Sequence, residues 1–228
     1  MNTEILAEYT NDLVAFVVMA STLTGYHMYL RRLTRRDATS VLSNFAAVAR
    51  SEWVKVIMST QDSSLLAIQT LRNSTMSATF LASTAVLLMV GVLTLSGQST
   101  NLETTWHVLN FAGALRPEVW LAKILMMLIV LFFAFFCFSN AIRIFNHVGY
   151  IINVRGPGDG SNRYAPTLVA SELNRGGKYF SLGTRAYYYL IPLVCWLFGP
   201  LYMVISTIIL VMVLLPWVDR VPRSASIQ

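Results

Sequence analysis

The sequence predicts an all-α integral membrane protein, a four-helix bundle with amphipathic helices on the cytoplasmic side between its first and second spans. Three observations lead there. Of 228 residues, 55% are hydrophobic and 12% charged, whereas water-soluble domains carry about 25% charged residues. Four long intervals contain no charge. The basic residues collect in alternate connections between those intervals.

A span needs about 20 mostly apolar residues to cross roughly 30 Å of hydrocarbon. Leu13 to Leu30 lies between Asp12 and Arg31, Asn73 to Leu102 between Arg72 and Glu103, and Ile124 to Ile142 between Lys123 and Arg143. The fourth interval, Ala186 to Val218, has 33 residues, about 50 Å as a helix. Spans are expected at about 12–30, 76–97, 121–142 and 188–217. Pro192 and Gly199-Pro200 offer kink points in the last. It is read as one kinked helix, with Tyr187, Tyr188 and Tyr189 at the interface. A re-entrant piece before Gly199 and a separate span after it is the alternative.

Orientation follows from the cations. Seven lie between spans 1 and 2 (Arg31, Arg32, Arg35, Arg36, Arg50, Lys55, Arg72) and six between spans 3 and 4 (Arg143, Arg155, Arg163, Arg175, Lys178, Arg185). Arg116 and Lys123 fall between spans 2 and 3, and Arg220 and Arg223 follow span 4. Cytoplasmic connections are enriched in Lys and Arg, which makes 31–75 and 143–187 cytoplasmic and 98–120 the outer segment. Both termini are then expected on the non-cytoplasmic side, and no odd number of spans is expected to divide the cations so one-sidedly. The acidic start (Glu4, Glu8, Asp12) resembles neither a signal nor a transit peptide.

In the first cytoplasmic segment, Val41, Leu42, Phe45, Val48, Ala49, Trp53, Val56 and Ile57 recur at helical spacing. Asp37 suits the cap, and a second helix is expected from near Asp62 into span 2. Such helices lie along headgroups or pack beneath the membrane, and Arg31 to Arg36 favour anionic lipid there. In the second segment, Gly156 to Gly160 reads as a turn, and Leu168 to Leu173 as a short helix stopped by Asn174-Arg175-Gly176-Gly177. The outer segment, with Trp106, His107, Phe111, Pro117 and Trp120, reads as an interface-lying hairpin.

The glycines match no phosphate-binding motif. No hydrolase or metalloprotease motif occurs, and no acid lies in the core of an expected span. Cys137 and Cys195 sit in apolar runs and suggest neither a disulfide framework nor a metal site. No enzyme, cofactor, metal or nucleic-acid function is expected. The net charge of +6 reflects the membrane-side bias instead.

The candidate site is a polar layer at the cytoplasmic ends of the spans: Gln69, Arg72, Asn73, Asn140, Arg143, Asn146, His147, Asn174, Arg175 and Arg185. If the helices bundle, Arg72, Arg143, Arg175 and Arg185 converge on a pocket for phosphate or carboxylate. Alternatively, these groups satisfy one another and fix helix register. His27 and His147, expected at one membrane level, raise a bis-histidine haem as a further alternative.

The run Ala67-Ile68-Gln69-Thr70-Leu71-Arg72-Asn73-Ser74-Thr75-Met76-Ser77-Ala78 and its continuation to Ala85 resemble the hallmark of the domain-of-unknown-function 599 family. Arg143 to Val148, Asn174-Arg175-Gly176, Arg185 to Tyr189 and Trp196 to Pro200 match it as well. The resemblance implies a multi-pass membrane protein of a type found in bacteria and plants, and no assigned activity. The expected location is the bacterial inner membrane, with both termini periplasmic. The expected role is non-catalytic: a structural or accessory subunit of a membrane complex or a homo-oligomer. Small residues on span 2 (Ser77, Ala78, Ser83, Thr84, Ala85) permit close helix approach. Binding or transport of an anionic lipid or metabolite at the basic pocket is the alternative.

Overall fold

The computed structural model describes residues 2–36, 42–60, 63–97, 117–154 and 162–219. The expected cap at Asp37, the turn at 156–160 and the aromatic residues of 98–116 lie outside the described residues. The helices are α1 (Asn2–Arg36), α2 (Leu42–Ser59), α3 (Ser64–Gly97), α4 (Pro117–Ile151), α5 (Pro166–Phe198) and α6 (Pro200–Val213), followed by a π-helical turn, Leu214–Val218. Prolines open α4, α5 and α6, where a missing N–H costs nothing. Stretches within α1, α3 and α4 are long and apolar enough to cross a membrane: Thr10–Arg35, Ser64–Gly97 and Glu118–Ile151.

α3, α4 and α5 form a spine. Each has 33 to 35 residues, about 50 Å at helical rise. The glycines of α5 set its register against α4. A Cβ on Gly183 would stand 2.8 Å from the Phe138 ring, and one on Gly176 would stand 2.8 Å from the Phe145 ring. Both rings are buried against bare backbone, and the two helices run antiparallel. On the other side of α4, Leu71 of α3 reaches Gly149, and Ala82 packs with Ala134, Phe138 and Ala186.

The spine is covered differently at its two ends. At one end α2 docks, adding Val54, Ile57 and Met58 to a core of Leu71, Ile144, Phe145, Val148, Val169 and Leu173. At the other, α1 and α6 cover Ile124, Met127, Leu131, Leu193 and Leu197 with Ala15, Met19 and Met203. The amphipathic helix expected before span 2 is present as α2, packed against α5 at one end of the spine. The fold is all-helical, but its frame is three long helices with different partners at each end.

Two expectations fail for physical reasons. Asn174-Arg175-Gly176-Gly177 does not stop a helix, because α5 runs through it. Gly176 and Gly183 serve close approach to α4, and that packing outweighs about 1 kcal/mol of helix propensity per glycine. The interval 188–217 is not one kinked helix. A continuous helix would hold Arg185 and Asp219 about 50 Å apart, yet they form an ion pair. The chain therefore reverses at Gly199, and α5 and α6 make a hairpin. Pro192 lies inside α5 without ending it.

Gly199 adopts φ 141°, ψ 160°, a region nearly closed to residues with a Cβ. Gly199→Ala is therefore expected to destabilise the fold by about 1–3 kcal/mol. Reversible unfolding of the detergent-solubilised chain measures this, and an unshifted midpoint would mean the hairpin does not need that backbone.

Candidate functional site

The structure disperses the expected polar layer. Gln69, Arg72 and Asn73 are exposed on α3, and Arg143, Asn146 and His147 are exposed on α4. The inward face of α4 is taken by Ala141, Ile144, Phe145 and Val148, so helical spacing turns its polar residues outward. Asn140 donates to the Phe136 carbonyl at 2.8 Å and accepts from Arg143 Nη2 at 3.2 Å. Arg175 is exposed and reaches Glu172 at 3.5 Å. Arg185 and Asn174 turn into two other clusters. The four arginines do not converge on one pocket.

In the first cluster, Arg185 Nη2 and the Tyr26 hydroxyl both bond the Asp219 carboxylate. The Leu42 N–H donates to the Asp219 carbonyl at 3.0 Å, so one residue ties α1, α2 and α5 to the end of the hairpin. His27 lies alongside. Its Nδ1 is 2.9 Å from the Leu23 carbonyl, which can only accept, so Nδ1 carries the proton. Nε2 then accepts from the Tyr189 hydroxyl at 3.1 Å. Both ring nitrogens are used. The Gly176–Phe145 register sets His147 near the level of residue 174, fifteen residues below Tyr189, or about 22 Å. The bis-histidine haem geometry is therefore not formed.

The second cluster lies toward the hairpin tip. Asp12 Oδ1 accepts from Trp196 Nε1 at 2.6 Å and pairs with Lys123 at 3.2 Å. The ammonium also donates to the Trp196 carbonyl at 3.2 Å and stands 5.1 Å from the indole centroid. Both charged side chains are almost fully buried, at 3% and 6% exposure.

The third lies in the seam between α2 and α5. Arg50 Nε donates to Asn174 Oδ1 at 2.8 Å, and Asn174 Nδ2 donates to Ser51 Oγ at 3.0 Å. A Cβ on Gly177 would fall 2.8 Å from Arg50 Cζ, so the guanidinium rests on bare backbone. Burial lowers its pKa below the ordinary guanidinium value.

Asp12, Lys123, Asp219, Trp196, Arg50 and Ser51 were not singled out as site residues by sequence reasoning, whereas Tyr26 was noted beside His27 at the end of span 1. The available signal was a single charge at the border of an apolar run, as at Asp12, Lys123 and Asp219. Among the described residues no group of three or more His, Cys, Asp or Glu could hold a metal.

Three helices long and apolar enough to cross a membrane, two of them (α1 and α4) joined by the buried Asp12–Lys123 pair, are the mark of an all-helical protein of the membrane type. The chain belongs to the family described as protein of unknown function DUF599, whose model matches residues 14–223. No curated protein and no solved structure matches it.

Lys123→Met would leave Asp12 buried without its cation, and breaking such a pair costs about 3–5 kcal/mol. The double variant Asp12→Asn with Lys123→Met is expected to recover at least half of that. A double-mutant cycle of unfolding free energies checks both; additive losses would mean the pair is not coupled.

Proposed function

We propose that this chain is a non-catalytic assembly component of a membrane, joining copies of itself or a larger complex through the half-bundle beneath the spans. The observation that carries the reading is at the base of α3. Leu65, Leu66 and Ile68 are 66%, 55% and 51% exposed. Ile68 lies 29 residues before Gly97, the end of α3, about 44 Å along the helix, and hydrocarbon is only about 30 Å thick. Val56 of α2 and Tyr150 of α4 are also exposed at that end of the bundle. A contiguous apolar surface in water marks an interaction site.

Native mass spectrometry from nanodiscs tests the reading. The wild-type chain is expected to leave as an oligomer or with a second subunit of defined mass. Serine at positions 65, 66 and 68 should reduce that species at least tenfold, about 1.4 kcal/mol. A lone monomer from wild-type membranes would sink the proposal.

Anionic lipid on the cytoplasmic side is part of the same reading. Arg72, Arg143 and His147 are exposed near the level where Leu71 meets Gly149. α3 carries no acid, and the only acid of α4, Glu118, is at its far end. Exposed arginines so placed attract acidic headgroups.

The proposed topology has α1, α3 and α4 crossing a bacterial inner membrane, and the α5–α6 hairpin entering from the arginine-rich side and returning to it. Arg220 and Arg223, which follow Asp219 in sequence, then join that side, making fifteen of the seventeen cations. The C-terminus is cytoplasmic in this arrangement and the N-terminus periplasmic. Impermeant thiol reagents on single-cysteine variants at the two ends decide it, labelling of both ends from outside being the refuting result.

A further inference from the structure

We infer that Arg50 anchors an anion site: its guanidinium, seated over Gly177 in the α2–α5 seam, takes a phosphate group, from a phospholipid headgroup or from a soluble phosphate. The case does not depend on the assembly reading.

The seam holds a fork with its business end unused. Of the guanidinium nitrogens, only Nε has a partner among the described residues, Asn174 Oδ1 at 2.8 Å. Nη1 and Nη2 together carry four N–H groups, and no carboxylate among the described residues answers them. The acids of both helices are committed elsewhere. Glu52 of α2 bonds Lys55 at 2.7 Å, and Glu172 of α5 reaches Arg175 at 3.5 Å. Glu52 is two positions from Arg50, which on a helix points it to a different face.

The fork is also held in place. Ser51 fixes the Asn174 amide by accepting from its Nδ2 at 3.0 Å, which aims Oδ1 at Arg50 Nε. Gly177 supplies the platform, since a Cβ there would stand 2.8 Å from Cζ and 3.0 Å from both Nη atoms. A planar guanidinium with one edge pinned and the other free matches two oxygens of a phosphate. Burial without a counter-charge is unfavourable, and a bound anion offsets it. Lys178, exposed on the next position of α5, adds positive potential.

The height fits a headgroup. Gly177 lies 21 residues before Phe198, where α5 ends. That is about 32 Å along the helix, close to the roughly 30 Å depth of hydrocarbon. A phosphate at that level belongs to the interface rather than to the core.

The test uses the full chain in two kinds of nanodisc. In discs of phosphatidylcholine with a minor share of phosphatidylglycerol, native mass spectrometry is expected to show a retained phosphatidylglycerol. Arg50→Gln and Gly177→Ala should each reduce it about tenfold, a step of about 1.4 kcal/mol. Lys55→Gln, an exposed cation on α2 paired with Glu52, should not. In discs of phosphatidylcholine alone, inorganic phosphate is titrated and followed by ³¹P line broadening. Arg50-dependent retention in the first arm assigns the site to a headgroup, and Arg50-dependent broadening only in the second assigns it to a soluble phosphate. Gly177→Ala displaces the guanidinium without removing it, so it remains informative if Arg50→Gln loosens α2. Wild-type binding in neither arm, or binding unchanged by both Arg50→Gln and Gly177→Ala, overturns the site. An unfolding midpoint lowered in Arg50→Gln with unchanged binding in Gly177→Ala also overturns it, because Arg50 would then only fasten α2.

Discussion

The fold depends on two aromatic rings of α4 lying against bare backbone of α5. Phe138 over Gly183 and Phe145 over Gly176 bring the two helices closer than any side chain at those glycines would allow. Because the contacts are seven residues apart on both helices, they fix register as well as distance. Lys123 then falls opposite Trp196, and the polar residues of α4 are committed to its outer face. The rings are worth more as packing than the helix propensity lost at the glycines.

The same register makes the hairpin possible. Once α5 is held against α4, a reversal at Gly199 lays α6 along α1, and Leu210 and Leu214 pack with Tyr26 and Leu30. Each end of that arrangement is pinned by a buried carboxylate. Asp12 meets Lys123 and Trp196 toward the tip, and Asp219 meets Arg185 and Tyr26 at the open end. Buried charges tolerate few arrangements, because each misplacement leaves an uncompensated ion. These pairs select one geometry among many that greasy helices would otherwise find comparable.

The features bearing on function sit at the end of the bundle where α2 docks. The spine extends beyond any hydrocarbon thickness, and α2 covers one side of that extension while α3 stays open along Leu65, Leu66 and Ile68. The Arg50 seam lies where the extension meets the expected headgroup level. In the proposed reading, a phosphate held at the Arg50 seam and the apolar face of α3 would together serve position-dependent assembly. Membership of the DUF599 family over residues 14–223 assigns no function.

Charge-free runs long enough to cross lipid, and an amphipathic helix before α3, were legible in the sequence because burial in lipid or against a neighbour imposes composition and spacing residue by residue. The family was legible for a similar reason, through the contiguous run from Ala67 to Ala85. The sequence could not show the direction of the chain after Gly199, since a glycine-proline pair is compatible with a kink or a reversal. It also could not show which cations meet. Arg72, Arg143, Arg175 and Arg185 were expected on one side of the membrane, but helix faces diverge, and only α4–α5 packing decided which faces were inward. Arg50, about two turns inside an ordinary amphipathic helix, became distinctive only when Asn174 and a bare Gly177 arrived from residues more than a hundred positions away. Composition acts locally and is readable in one dimension, whereas partners across a seam are set by register, a property of the packed helices.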